Sequence, residues 1–212
     1  TLRSRGLGDV YKRQTIIYCD DFDAPAQNFC NKFIHGRYDD KVKMQEFIKE
    51  IDVITYEFEN IPYETLNEMN KIKPVLPKPS VNRLIQHRIA EKDFVNKLNI
   101  RTTRYASIEN KSDMEPLGDF LPGILKTTTM GYDGKGQYPI KKIEDIDNLN
   151  IDFSKGYILE KLVKLKKEIS VIITRFGNNS YEIYEPIENT HEDQILKHSI
   201  ISDYKFFKWL KI

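Results

Sequence analysis

The stretch TTTMGYDGKGQYPI, residues 127–140, decides the fold of its half of the chain. Three glycines within six residues enclose an aspartate and a lysine, and strand-like residues flank them on both sides. The spacing differs from a Walker A loop, because glycine follows the lysine where serine or threonine is required. It also differs from the dinucleotide-binding fingerprint, because a strand follows it and not a helix. Two interpretations remain, a plain hairpin turn and a flap that holds a phosphate.

Two lysines favour the phosphate interpretation. Lys126 ends the apolar segment that enters the loop, and Lys135 lies within the loop. When a glycine-rich flap joins two antiparallel strands, backbone N–H groups and ammonium groups can converge on one anion. The stretch therefore predicts phosphate binding without a P-loop.

A second cluster of residues supports a nucleotide. The strand edge from Glu160 to Val163 can offer backbone donors and acceptors to an adenine ring, and Glu168 can accept ribose hydroxyls. Each glutamate alone is typical of a solvated surface charge. The prediction therefore depends on the order of the set: a lysine strand, a glycine flap, an apolar hinge and an acid.

Composition excludes several classes of protein. The chain has 212 residues with 33 basic and 32 acidic side chains, so no overall charge attracts nucleic acid or an anionic membrane. Its apolar runs are too short to span a bilayer. Cys19 and Cys30 form neither a metal-binding pattern nor a disulfide framework. Free thiols in a reducing, cytoplasmic setting are therefore expected.

The order of elements predicts two domains. Up to the proline-rich segment KPVLPKPS, residues 73–80, strands alternate with helices, which is typical of an open α/β sheet. One of these helices is predicted over PAQNFCNKFI, residues 25–34. The prolines predict a linker, and Ser80 is expected to cap the helical segment that follows. The remainder is mostly strand-like, with GNNS, residues 177–180, as a hairpin connection.

Six segments resemble one enzyme family in their order and spacing. They are DVITYEFENIP (52–62), HRIAEKDFV (87–95), ILKTTTMGYDGKGQ (124–137), YILEKLV (157–163), KEISVII (167–173) and EPIENTHEDQIL (185–196). Together they are similar to the N5-carboxyaminoimidazole ribonucleotide synthases, ATP-grasp enzymes of purine biosynthesis. The combination of YEFENIP with GYDGKGQ distinguishes this family from other ATP-grasp enzymes.

The resemblance implies an ATP-grasp fold preceded by a partial open parallel α/β domain, the pre-ATP-grasp domain. Residues 15–79 would form that partial domain, and residues 80–212 an ATP-grasp domain incomplete at its C-terminal end. Residues 1–14, TLRSRGLGDVYKRQ, carry no family resemblance and are expected to be an artefactual leader. The tail IISDYKFFKWLKI, residues 200–212, also diverges from the family pattern.

The resemblance also implies a reaction and its partners. The family carboxylates 5-aminoimidazole ribonucleotide with bicarbonate, using ATP and Mg²⁺, through a carboxyphosphate intermediate. Full-length relatives form homodimers, and no nucleic acid or membrane takes part. The metal ligands of the family have no counterpart here, so the chain as given is expected to bind nucleotide without catalysing carboxylation. Two alternatives stay open: another ATP-grasp carboxylase or ligase, and a non-catalytic ATP-binding fragment.

Site residues follow from the same resemblance, position by position. Lys126 and Lys135 would be catalytic, and no metal ligand is assigned. The nucleotide would contact Arg88, Lys126, Gly131, Tyr132, Asp133, Gly134, Lys135, Gly136, Gln137, Glu160, Lys161, Leu162, Val163, Glu168 and His191. Within this set, 131–137 would form the flap, 160–163 the adenine hinge, and Glu168 the ribose contact. The ribonucleotide would contact Tyr56, Glu57, Glu59, Asn60, Tyr132 and Asp133.

Overall fold

The structure, a computed structural model, describes residues 13–131, 136–192 and 195–201. The chain falls into two compact units, divided between Phe94 and Val95. Each unit has a hydrophobic core of its own. The predicted domain limits, 15–79 and 80–212, stay a prediction. No helix in the described ranges is long and apolar enough to cross a membrane.

The first unit alternates strands with helices. Its elements are β1 (Ile16–Cys19), a 3-10 turn (Pro25–Phe29), β2 (Lys32–His35), α1 (Lys41–Lys49), β3 (Ile54–Thr55), α2 (Tyr63–Asn70), β4 (Val75–Leu76), α3 (Pro79–Ile85) and the start of α4 (Arg88–Lys97). β1 pairs with β2 and β3 pairs with β4, both in parallel. Buried side chains of α1 and α2, among them Phe47, Ile48 and Leu66, pack against these strands. The predicted open parallel α/β class is confirmed.

Three local predictions in the first unit are wrong. The helix expected over residues 25–34 is a short 3-10 turn followed by β2, because Ile34 is buried in the core and its strand pairs with β1. Within the expected linker, Val75 is buried and forms β4 against β3. Ser80 does not cap α3, which begins at Pro79 with no side-chain cap. Proline needs no cap for itself at a helix start, because it lacks the N–H that would be left unpaired.

The second unit is antiparallel. Its strands are β5 (Tyr105–Ile108), β6 (Gly123–Thr127), β7 (Gln137–Ile140), β8 (Tyr157–Lys161), β9 (Glu168–Ser170), β10 (Ile173–Arg175), β11 (Tyr181–Ile183), β12 (Ile187–Glu192) and β13 (Ile195–Ile201). Three 3-10 segments intervene, Lys111–Phe120, Ile143–Asn148 and Phe153–Lys155. In the described ranges every strand pairing of this unit is antiparallel. The predicted change from alternating elements to consecutive strands is therefore confirmed.

The strands of the second unit form separate sheets. One sheet has the order β5-β8-β6-β7, a second has the order β13-β12-β9, and β10 and β11 form a hairpin. The GNNS segment connects this hairpin as predicted, with the Phe176 N–H donating to the Ser180 carbonyl at 2.8 Å. Asn179 has a φ of 64°, a left-handed conformation that asparagine adopts more readily than most residues.

The four-stranded sheet has two different faces. Leu125 and Leu159 are partners across β6 and β8, and with Ile108 and Ile140 they form a core that also includes Met114 of a 3-10 segment. The alternate residues of the same strands include Lys126 and Glu160. Because side chains alternate along a strand, one face of the sheet is apolar core and the other bears the charged residues.

Candidate nucleotide site

The glycine-rich stretch is a hairpin between β6 and β7. Lys126 and Gln137 are paired, and the Thr127 N–H donates to the Gly136 carbonyl at 2.9 Å. Gly136 has a φ of +71°, and a Cβ there would lie 2.7 Å from Thr127 Oγ1, so only glycine fits. The antiparallel pair of strands that both interpretations require is therefore present. Tyr132, Asp133, Gly134 and Lys135 lie outside the described residues, so the phosphate flap stays a prediction.

An ion pair lies at the base of this hairpin. Lys126 Nζ lies 2.7 Å from Glu160 Oε2, with 21% and 11% of the two side chains exposed. The register explains the contact, since Lys126 pairs with Ile158, and Glu160 lies two residues further on the same face of β8. The sheet therefore fixes an ammonium group where the loop begins. Sequence reasoning assigned both residues to the nucleotide but did not predict that they pair with each other.

The predicted adenine hinge is not a free strand edge along its whole length. β8 is a central strand, so Glu160 is paired with Tyr105 on one side and with Ile124 on the other. The Leu162 N–H donates to the Pro122 carbonyl at 3.0 Å. Val163 is the first hinge residue whose backbone makes no hydrogen bond to another described residue. Backbone contacts to a base are therefore available from the end of this segment and not from its start.

Residues just before β5 hold the hinge from its other side. The Thr103 hydroxyl donates to the Lys161 carbonyl at 2.8 Å, and the Lys161 N–H donates to the Arg104 carbonyl at 2.9 Å. The Lys161 ammonium donates to the Asp119 carbonyl at 2.7 Å. Sequence reasoning missed Thr103, because 58 residues separate it from Lys161 and no local pattern links them.

Glu168 and His191 were assigned separately, and the structure brings them together. His191 Nδ1 lies 3.3 Å from Glu168 Oε2. Glu168 on β9 pairs with Asn189 on β12, and the register of β12 against β13 shifts between Thr190 and His191. Such irregularities redirect side chains and are common next to functional sites. Both side chains are substantially exposed, 36% for His191 and 45% for Glu168.

The residues predicted to bind the ribonucleotide follow β3 in the first unit. Tyr56 and Glu57 line a cavity of about 450 Å³ that also borders β1. The Tyr56 hydroxyl is buried without a hydrogen-bond partner among the described residues, and burial raises its pKa. Glu59 is exposed and Asn60 is half-buried in the same loop. Tyr132 and Asp133, the other two predicted contacts, lie outside the described residues.

Two further expectations concern Arg88 and the metal. Arg88 is the first residue of α4 in the first unit, whereas Lys126 lies in the second, so their joint contact with ATP stays a prediction.

Across the described ranges, no three His, Cys, Asp or Glu side chains are grouped so that they could hold a metal ion. Glu160 and Glu168 do not form a Mg²⁺ site by themselves, because Glu160 is paired with Lys126 and Glu168 contacts His191, and no third ligand is grouped with them in the described ranges.

Comparison with known protein families adds the deciding observation. Residues 93–206 match the ATP-grasp domain model, and residues 8–86 match the model of the ribonucleotide synthetase pre-ATP-grasp domain. The chain belongs to the ATP-grasp family. The predicted fold class, an ATP-grasp domain preceded by a pre-ATP-grasp domain, is therefore confirmed.

Individual relatives of this ATP-grasp chain agree with the motif resemblance. The N5-carboxyaminoimidazole ribonucleotide synthase of Brucella melitensis is 33% identical over 193 residues, covering 89% of this chain and 53% of the relative. A bifunctional purine synthesis protein of Dictyostelium discoideum is 32% identical, covering 88% of this chain and 20% of the relative. The crystal structure of the Staphylococcus aureus N5-carboxyaminoimidazole synthetase, complexed with ADP, superposes with a TM-score of 0.84 at 28% identity, covering 93% of this chain and 54% of that one. The ATP-grasp chain thus spans about half the length of the synthases it matches.

Proposed function

We propose that this chain supplies the ATP-binding part, and part of the ribonucleotide-binding part, of an enzyme that carboxylates 5-aminoimidazole ribonucleotide. ATP phosphorylates bicarbonate to carboxyphosphate and leaves as ADP. The 5-amino group of the ribonucleotide then attacks the carboxyl carbon, and phosphate is released. The observation that supports this proposal most is the Lys126–Glu160 pair at the base of the glycine-rich hairpin, in a chain of the ATP-grasp family.

In this proposal Lys126 binds the phosphates of ATP. An ammonium group has three donors, so Lys126 can remain on Glu160 and still donate to a phosphate oxygen. Its low exposure strengthens the attraction for an anion, because charges interact more strongly away from bulk water. Glu160 limits the positions that the flexible lysine can adopt, so less conformational freedom is lost when the phosphate binds.

In this proposal the adenosine moiety of ATP binds to the remaining hinge residues, 161–163, and to Glu168. The backbone of Val163 is available to the edge of the adenine ring, next to the anchored Lys161 and Leu162. The Glu168 carboxylate accepts hydrogen bonds from ribose hydroxyls, and His191 keeps it in place. ATP-grasp enzymes use Mg²⁺ with ATP, and the metal neutralises phosphate charge when bound. No step is assigned to it through the described residues.

The loop of residues 131–137 covers the phosphates in this proposal, and Lys135 adds a second cation there. A cover is needed because carboxyphosphate hydrolyses in water, and a closed loop excludes solvent during the reaction. Residues 15–79 contribute the ribonucleotide-binding loop after β3, and residues 80–212 contribute the nucleotide site. Arg88 adds a further phosphate contact.

The setting of the enzyme is part of the same proposal. The two cysteines, Cys19 and Cys30, are free thiols, which supports a reducing, cytoplasmic compartment. The homodimer expected from the family resemblance is supported by that resemblance alone. Light scattering of the complete gene product after size-exclusion chromatography measures its mass directly and would contradict the dimer by giving the mass of one chain.

The test is an assay of ADP release by the complete gene product with ATP, Mg²⁺ and bicarbonate. Release should depend on 5-aminoimidazole ribonucleotide and should not respond to glycinamide ribonucleotide, the amine of another ATP-grasp reaction. Lys126→Ala should lower the rate by about 10²–10³-fold, the effect typical of losing one preorganised electrostatic contact. The matched control is Lys155→Ala, which removes an exposed ammonium group from the same unit. It should leave the rate of ADP release unchanged.

Other results of the ADP-release assay would support a different function. Stimulation by glycinamide ribonucleotide instead would indicate another ATP-grasp ligase. ATP binding without turnover under any of these conditions would indicate a non-catalytic nucleotide-binding protein. Full activity of the Lys126→Ala protein would contradict the phosphate role of Lys126.

A further inference from the structure

Two amide side chains, one within α3 and one on the residue that caps its C-terminal end, hold the backbone of the loop that follows β3. Asn82 Nδ2 donates to the Ile61 carbonyl at 3.1 Å, and Gln86 Nε2 donates to the same carbonyl at 2.7 Å. Gln86 Nε2 also donates to the Glu59 carbonyl. The two donors are four positions apart, one helical turn, and so lie on one face of the helix. The carbonyls on both sides of Asn60 are therefore tied to α3.

Asn82 is an unusual residue for its position. It is fully buried, and its Oδ1 atom has no hydrogen-bond partner among the described residues. A buried polar atom without a partner destabilises a fold, and an apolar side chain of similar size avoids that cost. Packing therefore gives no reason for an amide here. What asparagine supplies and leucine cannot is the N–H donor to the Ile61 carbonyl.

The loop that these amides hold is fixed at its ends and exposed in its middle. Tyr56 and Ile61 pack against the core of the first unit. Between them Glu57 and Glu59 are exposed, and Asn60 is half-buried. Polar side chains on a fixed backbone suit ligand recognition, because little conformational freedom is lost when the ligand binds.

We propose that Asn82 and Gln86 are positioning residues for the ribonucleotide. They fix the backbone of residues 59–61 and thereby orient the Glu59 and Asn60 side chains toward 5-aminoimidazole ribonucleotide, without touching it themselves. The proposal rests on the proposed function, which assigns Glu59 and Asn60 to that substrate. Their loss raises the KM for the ribonucleotide far more than the KM for ATP, because the Lys126–Glu160 pair lies in the second unit and Arg88 is the one residue of the first unit that the proposal assigns to ATP.

Two substitutions test this role in the complete gene product. Gln86→Glu keeps the shape of the side chain but replaces the donor with an acceptor, at a position that is only partly buried. Asn82→Leu removes the donor together with the unpartnered oxygen. We expect each to raise the KM for the ribonucleotide by about tenfold to a hundredfold, the scale on which small misplacements act. The KM for ATP should rise much less than the KM for the ribonucleotide, and the melting temperature of the Gln86→Glu protein should stay close to that of the wild type.

The control is Val81→Ala, an exposed position on the same helix, which should alter neither KM. If wild-type ADP release does not depend on the ribonucleotide, the proposed function fails and this proposal fails with it. If that dependence is present but Gln86→Glu keeps the wild-type KM for the ribonucleotide, only the positioning role is overturned. A parallel rise of both KM values with a lower melting temperature would indicate a structural role and would also overturn it. If the Asn82→Leu protein does not fold, the KM values of the Gln86→Glu protein alone test the proposal.

Discussion

The four-stranded sheet and the strands from β9 to β13 use the same kinds of residue and bury them very differently. In the sheet, Ile108, Leu125, Ile140 and Leu159 are 0% exposed. In β9, β10, β11 and β13 every described residue is exposed, although these strands are rich in isoleucine. Strand-forming apolar residues therefore occur in both regions, and burial depends on what packs against the strands.

The two polar pairs of the predicted nucleotide site follow the same division. Lys126–Glu160 lies on the buried sheet between two strands that are paired on both sides. Glu168–His191 lies on the exposed strands. A pair with little solvent contact is screened less and held in one geometry, whereas an exposed pair contributes little. We therefore expect the buried pair to set the affinity for the nucleotide and the exposed pair to adjust it.

The largest contrast should appear in stability. Leu159→Ala should lower the free energy of unfolding by about 2–5 kcal/mol, because it leaves a cavity in a closed core. Ile173→Ala, at a residue of β10 that is 59% exposed, should change it by less than about 0.5 kcal/mol. Urea unfolding of both proteins measures the difference. Equal losses would mean that the β10 strand is packed in solution, and the contrast between the regions would disappear.

The next largest difference should lie between the coupling energies of the two pairs, Lys126–Glu160 and Glu168–His191. A double-mutant cycle of Lys126→Met with Glu160→Gln should give a coupling energy of about 1.5–3 kcal/mol, typical of hydrogen bonds to charged groups. The matched cycle of His191→Gln with Glu168→Gln should give less than about 1 kcal/mol. A larger coupling for the exposed pair would reverse the assignment of the two regions.

Amide exchange should separate the two regions without any substitution. The amides of β6 and β8 should exchange through global unfolding, because their hydrogen bonds lie within a closed core. The amides of β10 and β11, in a two-stranded hairpin of exposed residues, should exchange through local opening and therefore faster. Mass spectrometry of the exchanged peptides checks this. Similar protection in both regions would contradict the comparison.

The smallest effect that we expect is on the stability of the protein at acidic pH. Backbone N–H groups of Glu109 and Asn110 lower the pKa of Asp113, and those of Lys141 and Lys142 lower the pKa of Asp145. Both carboxylates cap 3-10 segments whose Met114 and Ile146 belong to the core of the sheet. A lowered folded-state pKa means that this stabilisation is present above the unfolded-state pKa and is lost as the pH falls through the folded-state pKa.

Asp145→Asn should therefore flatten the dependence of stability on pH below about pH 4, where unfolded aspartates take up protons. Urea unfolding between neutral pH and that range measures it. The control is Asp23→Asn, an exposed aspartate in the first unit, which should leave the slope unchanged. An unchanged slope for Asp145→Asn would show that its backbone hydrogen bonds do not matter for folding.

Local sequence was enough to predict part of the geometry of the proposed nucleotide site. Three glycines between two strand-like segments indicated the hairpin, and the position of Lys126 in the entering strand followed from the residue count. The same local reasoning failed at residues 25–34, where helical spacing competes with pairing to β1 and the pairing prevails. It also gave no sign that β8 has a neighbouring strand on each side, because no local pattern records strand pairing, and the adenine hinge stays a prediction.

By itself, then, the sequence determined the parallel and antiparallel halves, the hairpin at 127–140 and the membership of the ATP-grasp family. Only the tertiary structure decided which carboxylate meets Lys126, since Glu160 lies 34 residues away and the contact depends on the register of β6 against β8. It likewise decided that Asn82 holds Ile61, 21 residues earlier. Periodicity records which side of an element is apolar, but the partner of each polar group is fixed only when distant segments pack together.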